Sequence, residues 1–254
     1  MVGDPKLAVA TTLCRGRENC GVRKRFRDGL FVTRLEEAPD WSMPWVPPTG
    51  RVAQAALAAL DRPILAWQQD FGFDAAEYYA EFPSNEMSPL EREVAKLGER
   101  PTWRLERLWY PHEESGPEEL AAYETACRDV NGVLLAPRCL DAFADHAQLI
   151  AGLDTADDGD PAPIDPEALD EALQWAEAGV CVLQASLPWP FLDFLLYGEL
   201  DNRPAHRILC TYAQLLSRKH PRKADRWWRA MVFLNPPDNM GARFLARRGQ
   251  RQQR

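Results

Sequence analysis

The sequence predicts a mainly α fold, with a small β-containing section near its N-terminus and a helical hairpin close to its C-terminus. Three observations carry this expectation. Apolar residues recur at helical spacing in several stretches bounded by capping residues, proline or glycine. Two short runs rich in Val and Thr, LAVATTL (7–13) and GLFVTRL (29–35), flank a basic, glycine-containing loop, the pattern of two strands. Two amphipathic stripes face each other across His220-Pro221, and neither can bury itself alone. With 254 residues, 46% of them apolar, and nine Trp, the chain can bury a sizeable core, so wholesale disorder is excluded.

After the two strands, DWSMPWVPPTG (40–50) is broken by three Pro and a Gly, while its two Trp pin it to a core. RVAQAALAALD, from Arg51, sets Val52, Ala55, Ala56, Ala59 and Leu60 on one helix face and ends by Pro63. DAAEYYAEF from Asp74 is helical up to Pro83. SPLEREVAKLGER is the best marked helix, with Ser88 as N-cap, Pro89 at the first helical position, Glu91 completing a capping box and Gly98 at the end. TWRLERLWY (102–110) fits a strand or a helix. GPEELAAYETACRDVNG (116–132) is helical with an Asn131-Gly132 stop. VLLAP after it is a short strand or a linker, leading into the helix CLDAFADHAQLIAGL.

TADDGDPAPIDP (155–166) is acidic, rich in Pro and Asp, and without apolar periodicity, so it divides the chain. The expected organisation is an α+β region at 1–154, this linker at 155–166, and a helical region with a basic tail at 167–254. That last region reads as successive helices: PEALDEALQWAEAGV, PWPFLDFLLYGEL, RPAHRILCTYAQLLSRKH, PRKADRWWRAMVFLN and DNMGARFLARR.

Net charge is −8, but its layout is uneven. Residues 203–254 hold 13 Lys/Arg against Asp225 and Asp238, residues 15–34 hold seven against Glu18 and Asp28, and residues 35–202 hold nine against 33 acidic residues. Either the basic ends fold back on the acidic middle, or they face an acidic protein or a nucleic acid.

In the hairpin, Ile208, Leu209, Tyr212, Leu215 and Leu216 form one stripe, and Ala224, Trp227, Trp228, Met231 and Leu234 form the other. Counting back from Pro236, Ala224 and Trp228 fall at the small and aromatic positions of a second repeat helix, and Ile208 and Leu215 suit the first. This stretch resembles a tetratricopeptide repeat. DNRPAHRI (201–208) with LNPPDNMGARFL (234–245) is similar to the opening and closing motifs of suppressor-of-tumorigenicity-7-type and bacterial tetratricopeptide proteins. The likeness covers residues 187–246. It departs from the repeat at Tyr212, where a small residue is usual, and at Lys219, where a turn Gly is usual. The resemblance implies a helix-packed scaffold that binds another protein or the chain's own N-terminal region.

Motifs for catalysis are missing: there is no GxGxxG, Walker A, GxSxG or HExxH. Cys14 and Cys20 are spaced too widely for a zinc pair, and His112, His146, His206 and His220 are scattered. No cofactor and no metal are expected. Six dispersed Cys, no signal segment and no membrane-length apolar run point to free thiols in the cytoplasm. The expected function is a non-catalytic interaction or adaptor module, with Arg203, Arg226, Trp227, Arg229 and Arg243 as partner-binding candidates. Adjacent Trp227 and Trp228 diverge by about 100° around a helix, so one is expected to face a second layer or a partner. The alternative is nucleic-acid binding through the two basic ends, where Arg23, Lys24, Arg25 and Arg27 surround Phe26 for phosphate contact and base stacking. Cys20 in that positive field is a candidate reactive thiol. A third class is an enzyme with an unrecognised site in residues 1–150.

Overall fold

The computed structural model describes residues 25–27, 30–32, 41–83, 87–107, 117–118, 121, 130–153 and 164–251. The elements run β1 (Arg25–Arg27), β2 (Leu30–Val32), α1 (Arg51–Ala59), β3 (Ala66–Asp74), α2 (Ala75–Ala80), α3 (Pro89–Ala95), β4 (Glu99–Leu105), α4 (Val130–Leu135) and α5 (Leu140–Ile150). They continue with α6 (Pro166–Gln184), a 3-10 turn (Leu200–Asn202), α7 (Arg203–Lys219), α8 (Pro221–Leu234) and α9 (Ala242–Arg251). The fold is mainly helical, with two small antiparallel sheets, β1–β2 and β3–β4.

Helix α6 organises the core. Asp165 caps its start by accepting from the Glu167 and Ala168 amides at 3.0 and 3.1 Å, and Pro166 occupies the first turn, where its missing N–H costs nothing. Beyond Trp175 its residues are nearly all buried, as befits a helix surrounded by others. Its neighbours are α1, α5 and α7. Gly179 makes the closest approach possible: a Cβ there would lie 2.7 Å from Ile208 of α7 and 2.8 Å from Phe143 of α5. The acidic stretch 155–166 thus lies between α5 and α6, two helices that pack on each other, and one apolar core continues from Met43 to Ala246.

The proline-rich segment 41–48 lies as a strap across the end of α6. Gln184 holds it from both sides, donating to the Pro44 carbonyl at 2.7 Å and accepting from the Val46 amide at 3.2 Å. Met43 and Val46 are buried beneath, Trp45 meets Trp189 at 5.0 Å, and Trp41 stacks on Phe233 at 5.4 Å. The two Trp pin the segment as its composition predicts.

Helix α3 forms with its full capping box, Ser88 accepting from the Glu91 amide and Glu91 accepting from that of Ser88. Four expectations are corrected and one open choice is resolved. Residues 25–27 belong to a strand that pairs with 30–32, not to a loop, with Phe26 opposite Phe31. VLLAP is mostly helix, inside α4, which runs through Asn131 and Gly132, so these residues are not a helix stop. The ambiguous 102–110 begins as strand β4, and its partner β3 carried no sequence assignment, because Gln68 to Gly72 bulge out of register and break the alternation. Residues 188–199 are not a helix, and Leu200 only opens the 3-10 turn. Pro188 and Pro190 supply no amide hydrogen, and the amides of Phe194, Leu195 and Tyr197 are taken by the Pro101 carbonyl, the Leu234 carbonyl and the Asn235 side chain. The runs 7–13 and 154–163, and most of 116–129, lie outside the described residues.

Candidate interaction surface

Helices α7 and α8 pack antiparallel as the amphipathic stripes require, with Tyr212 edge-on to Trp227 at 5.2 Å. The two ends of this hairpin differ in chemistry. At its open end, residues from both helices grip the same three-residue strip, 195–197. The Leu195 amide donates to the Leu234 carbonyl at 2.9 Å, while its carbonyl receives His206 Nε2 at 2.6 Å. Asn202 Nδ2 donates to the Leu196 carbonyl at 3.1 Å. The Tyr197 amide donates to Asn235 Oδ1 at 3.0 Å, and Arg203 donates to its carbonyl and lies 5.0 Å over its ring. Asn202 also donates to the Trp103 carbonyl and accepts from the Leu105 amide, tying β4 into the same joint.

The LNPPDN stop completes this joint. Asp238 takes a positive φ of 48°, and its carboxylate caps α9 by accepting from the Ala242 and Arg243 amides at 2.7 and 3.0 Å. Burial raises the Asp238 pKa, opposed by those amides and by Arg243. Gly241, at φ 67°, makes the turn that Cβ-bearing residues resist. Tyr79 donates to the Pro236 carbonyl at 2.7 Å, so the turn also seats on α2. Burial holds His206 neutral, its pKa pushed down to about 4. Both sequence motifs that frame the hairpin, 201–208 and 234–245, therefore serve as one structural joint.

Several basic side chains of the C-terminal region close onto the acidic middle. Arg207 forms a two-pronged pair with Asp141 of α5, Lys219 pairs with Asp170 of α6, Arg229 reaches Glu93 of α3 at 3.0 Å, and Arg243 reaches Glu91 at 3.2 Å. The turn between α7 and α8 is different. Arg218, Arg222, Lys223 and Arg226 are exposed there and form no ion pair among the described residues. Arg222, Arg226 and Arg229 recur at helical spacing along one stripe of α8, so the stripe runs from open cations at the turn to a satisfied one at Glu93.

The structure thus separates the candidates. Arg203 belongs to the joint, Arg229 and Arg243 to internal pairs, and Arg226 to the open turn. Trp227 is corrected to a core residue: it and Trp228 are 3% and 4% exposed, since α8 is covered by α7 on one side and by α3 and α9 on others. Arg218, Arg222 and Lys223 join Arg226 instead, and the run RKHPRKADR displayed that concentration of charge. Arg25, Phe26 and Arg27 lie in β1, whereas Arg23, Lys24 and Cys20 are outside the described residues. Among the described residues no His, Cys, Asp or Glu cluster is arranged to hold a metal ion. Burial raises the Cys181 and Cys210 thiols to about 12 and about 11, which leaves them protonated and unreactive near neutrality. No helix among the described residues is long and apolar enough to cross a membrane. Comparisons with family models, curated proteins and solved structures return no match.

Proposed function

We propose that this chain is a non-catalytic interaction module of tetratricopeptide-like form, which engages an acidic protein partner through the turn of the α7–α8 hairpin. One observation carries the reading. Arg207, Lys219, Arg229 and Arg243 are met by carboxylates of the acidic middle, while Arg218, Arg222, Lys223 and Arg226 stand exposed together at the turn. A rigid helical hairpin presents these four to a partner at little ordering cost. The same helix already takes Glu93 through Arg229, so a carboxylate-bearing helix is the chemistry its stripe fits. The cytoplasm is the proposed location, supported by Cys181 and Cys210 being free thiols.

The test is affinity purification from native lysate at low and moderate salt, with and without nuclease, comparing the wild type with Arg222→Glu/Arg226→Glu. These positions leave the internal pairs untouched. A discrete protein that survives nuclease and is lost from the variant is the expected result. Recovery of nucleic acid alone, released steeply by salt, would replace this reading with nucleic-acid binding. Identical recoveries from wild type and variant would remove the turn from the function.

A further inference from the structure

Strand β3 has an edge that no strand among the described residues covers. Its inner side pairs with β4, and among the described residues no strand pairs with its outer side. On this strand Trp67 and Phe71 are 44% and 55% exposed. Edge strands are ordinarily blunted by lysine, proline or brevity. This one runs nine residues without Lys, Arg or Pro, and its only charges are Asp70 and Asp74. Among the described residues it is guarded by a bulge between Gln68 and Gly72 and by those two carboxylates. Two copies pairing through this edge would set acidic strand against acidic strand.

We infer that the outer edge of β3 is the docking strand for the chain's own basic hairpin, β1–β2, which adds to it by main-chain pairing. Three observations select that occupant. The first is charge: β1 reads Arg-Phe-Arg within a segment, 15–34, of seven basic and two acidic residues, against Asp70 and Asp74 on β3. The second is form. β1–β2 is a two-stranded sheet of its own, with Phe26 opposite Phe31, and an isolated pair of strands gains stability by joining a larger sheet. The third is the tether. Residues 33–40 join Val32 to Trp41 and reach at most about 30 Å. Trp41 is fixed beside this sheet, under Arg100, which stands opposite Phe73 of β3 in register. A nine-residue strand is itself about 30 Å long, so the whole edge is within reach. Tethering keeps the hairpin at high effective concentration, and modest contacts suffice. The docked state is a four-stranded sheet that covers Trp67 and Phe71.

Hydrogen exchange on the full chain tests this. The amides of 66–74 that point away from β4 are followed in the wild type, in Arg25→Glu/Arg27→Glu, in Asp70→Lys, and in the combined charge swap. The core amides of α6 report that each variant is folded. Expected are outward amides at least tenfold slower in the wild type than in Arg25→Glu/Arg27→Glu or Asp70→Lys, with protection regained in the swap. Outward amides exchanging as fast as an open strand in the wild type would overturn the proposal. So would protection indifferent to both charge changes. Protection that grows with protein concentration alongside a dimeric mass would assign the edge to a second copy instead. None of these readouts involves the α7–α8 turn, so this docking and the proposed partner binding stand or fall separately.

Discussion

The two ends of the α7–α8 hairpin carry similar numbers of polar groups and use them in opposite ways. At the open end, Asn202, His206, Asn235 and Asp238 are all buried and direct most of their hydrogen bonds to backbone, at 195–197, at Trp103 and Leu105, and at the start of α9. At the turn, Arg218, Arg222, Lys223 and Arg226 remain in water. Polar groups that satisfy buried backbone fix a structure, because leaving that backbone unpaired is costly. Exposed charges contribute little to folding and remain free to choose a partner. One end specifies how the hairpin sits, and the other what it can meet.

This contrast is easiest to break at Asn202. Asn202 is 0% exposed, and replacing it with Ala strands the Leu105 amide and the Trp103 carbonyl, while the Leu196 carbonyl keeps the Glu199 amide. Asn202→Ala should lower unfolding free energy by about 3–5 kcal/mol, read from denaturant titration. A loss under about 1 kcal/mol would mean the joint relaxes around the gap.

His206 sharpens the contrast through pH. Its folded pKa lies near 4, below the ordinary 6.5, so the unfolded chain binds the proton more readily. Its contribution is fully present above pH 6.5 and is lost as pH falls toward 4, amounting to about 3 kcal/mol at most. Unfolding titrations between pH 7.5 and 4.5 should show that slope in the wild type and a flatter one in His206→Gln. Equal slopes would place the proton elsewhere.

The smallest effect belongs to the turn. Arg222→Glu/Arg226→Glu should shift stability by no more than about 0.5 kcal/mol, whereas Arg229→Glu, which faces Glu93, should cost about 0.5–1 kcal/mol. Chemical denaturation of the two variants side by side checks the ordering.

How far the sequence displays this molecule follows from the range of each interaction. Local chemistry was legible: the capping box at Ser88, the start of α6 at Pro166, the opposed stripes of α7 and α8, and the halt and restart at LNPPDN. The joint was not. Asn202 and Asn235 act on a loop whose path follows from contacts between Phe194 and β4, and Tyr79 acts on Pro236 from 157 residues away. Strand β3 escaped notice because its bulge removes the alternation that marks a strand. The turn cations were visible as composition, but only the pairing of Arg229 and Arg243 with Glu93 and Glu91 distinguishes open charges from satisfied ones.

The strap across α6 has a consequence for the order of assembly. Val46 and Gln184 are 138 residues apart, and the strap's hydrogen bonds close only when both exist. On a ribosome adding about 5–20 residues per second, the strap waits roughly 7–30 s for the side chain that holds it. Throughout that interval Met43, Trp41 and Val46 have neither α6 nor Phe233 to cover them. Segment 41–46 therefore stays without its hydrogen-bonding partner until Gln184 is made, and Trp41 waits longer still, for Phe233.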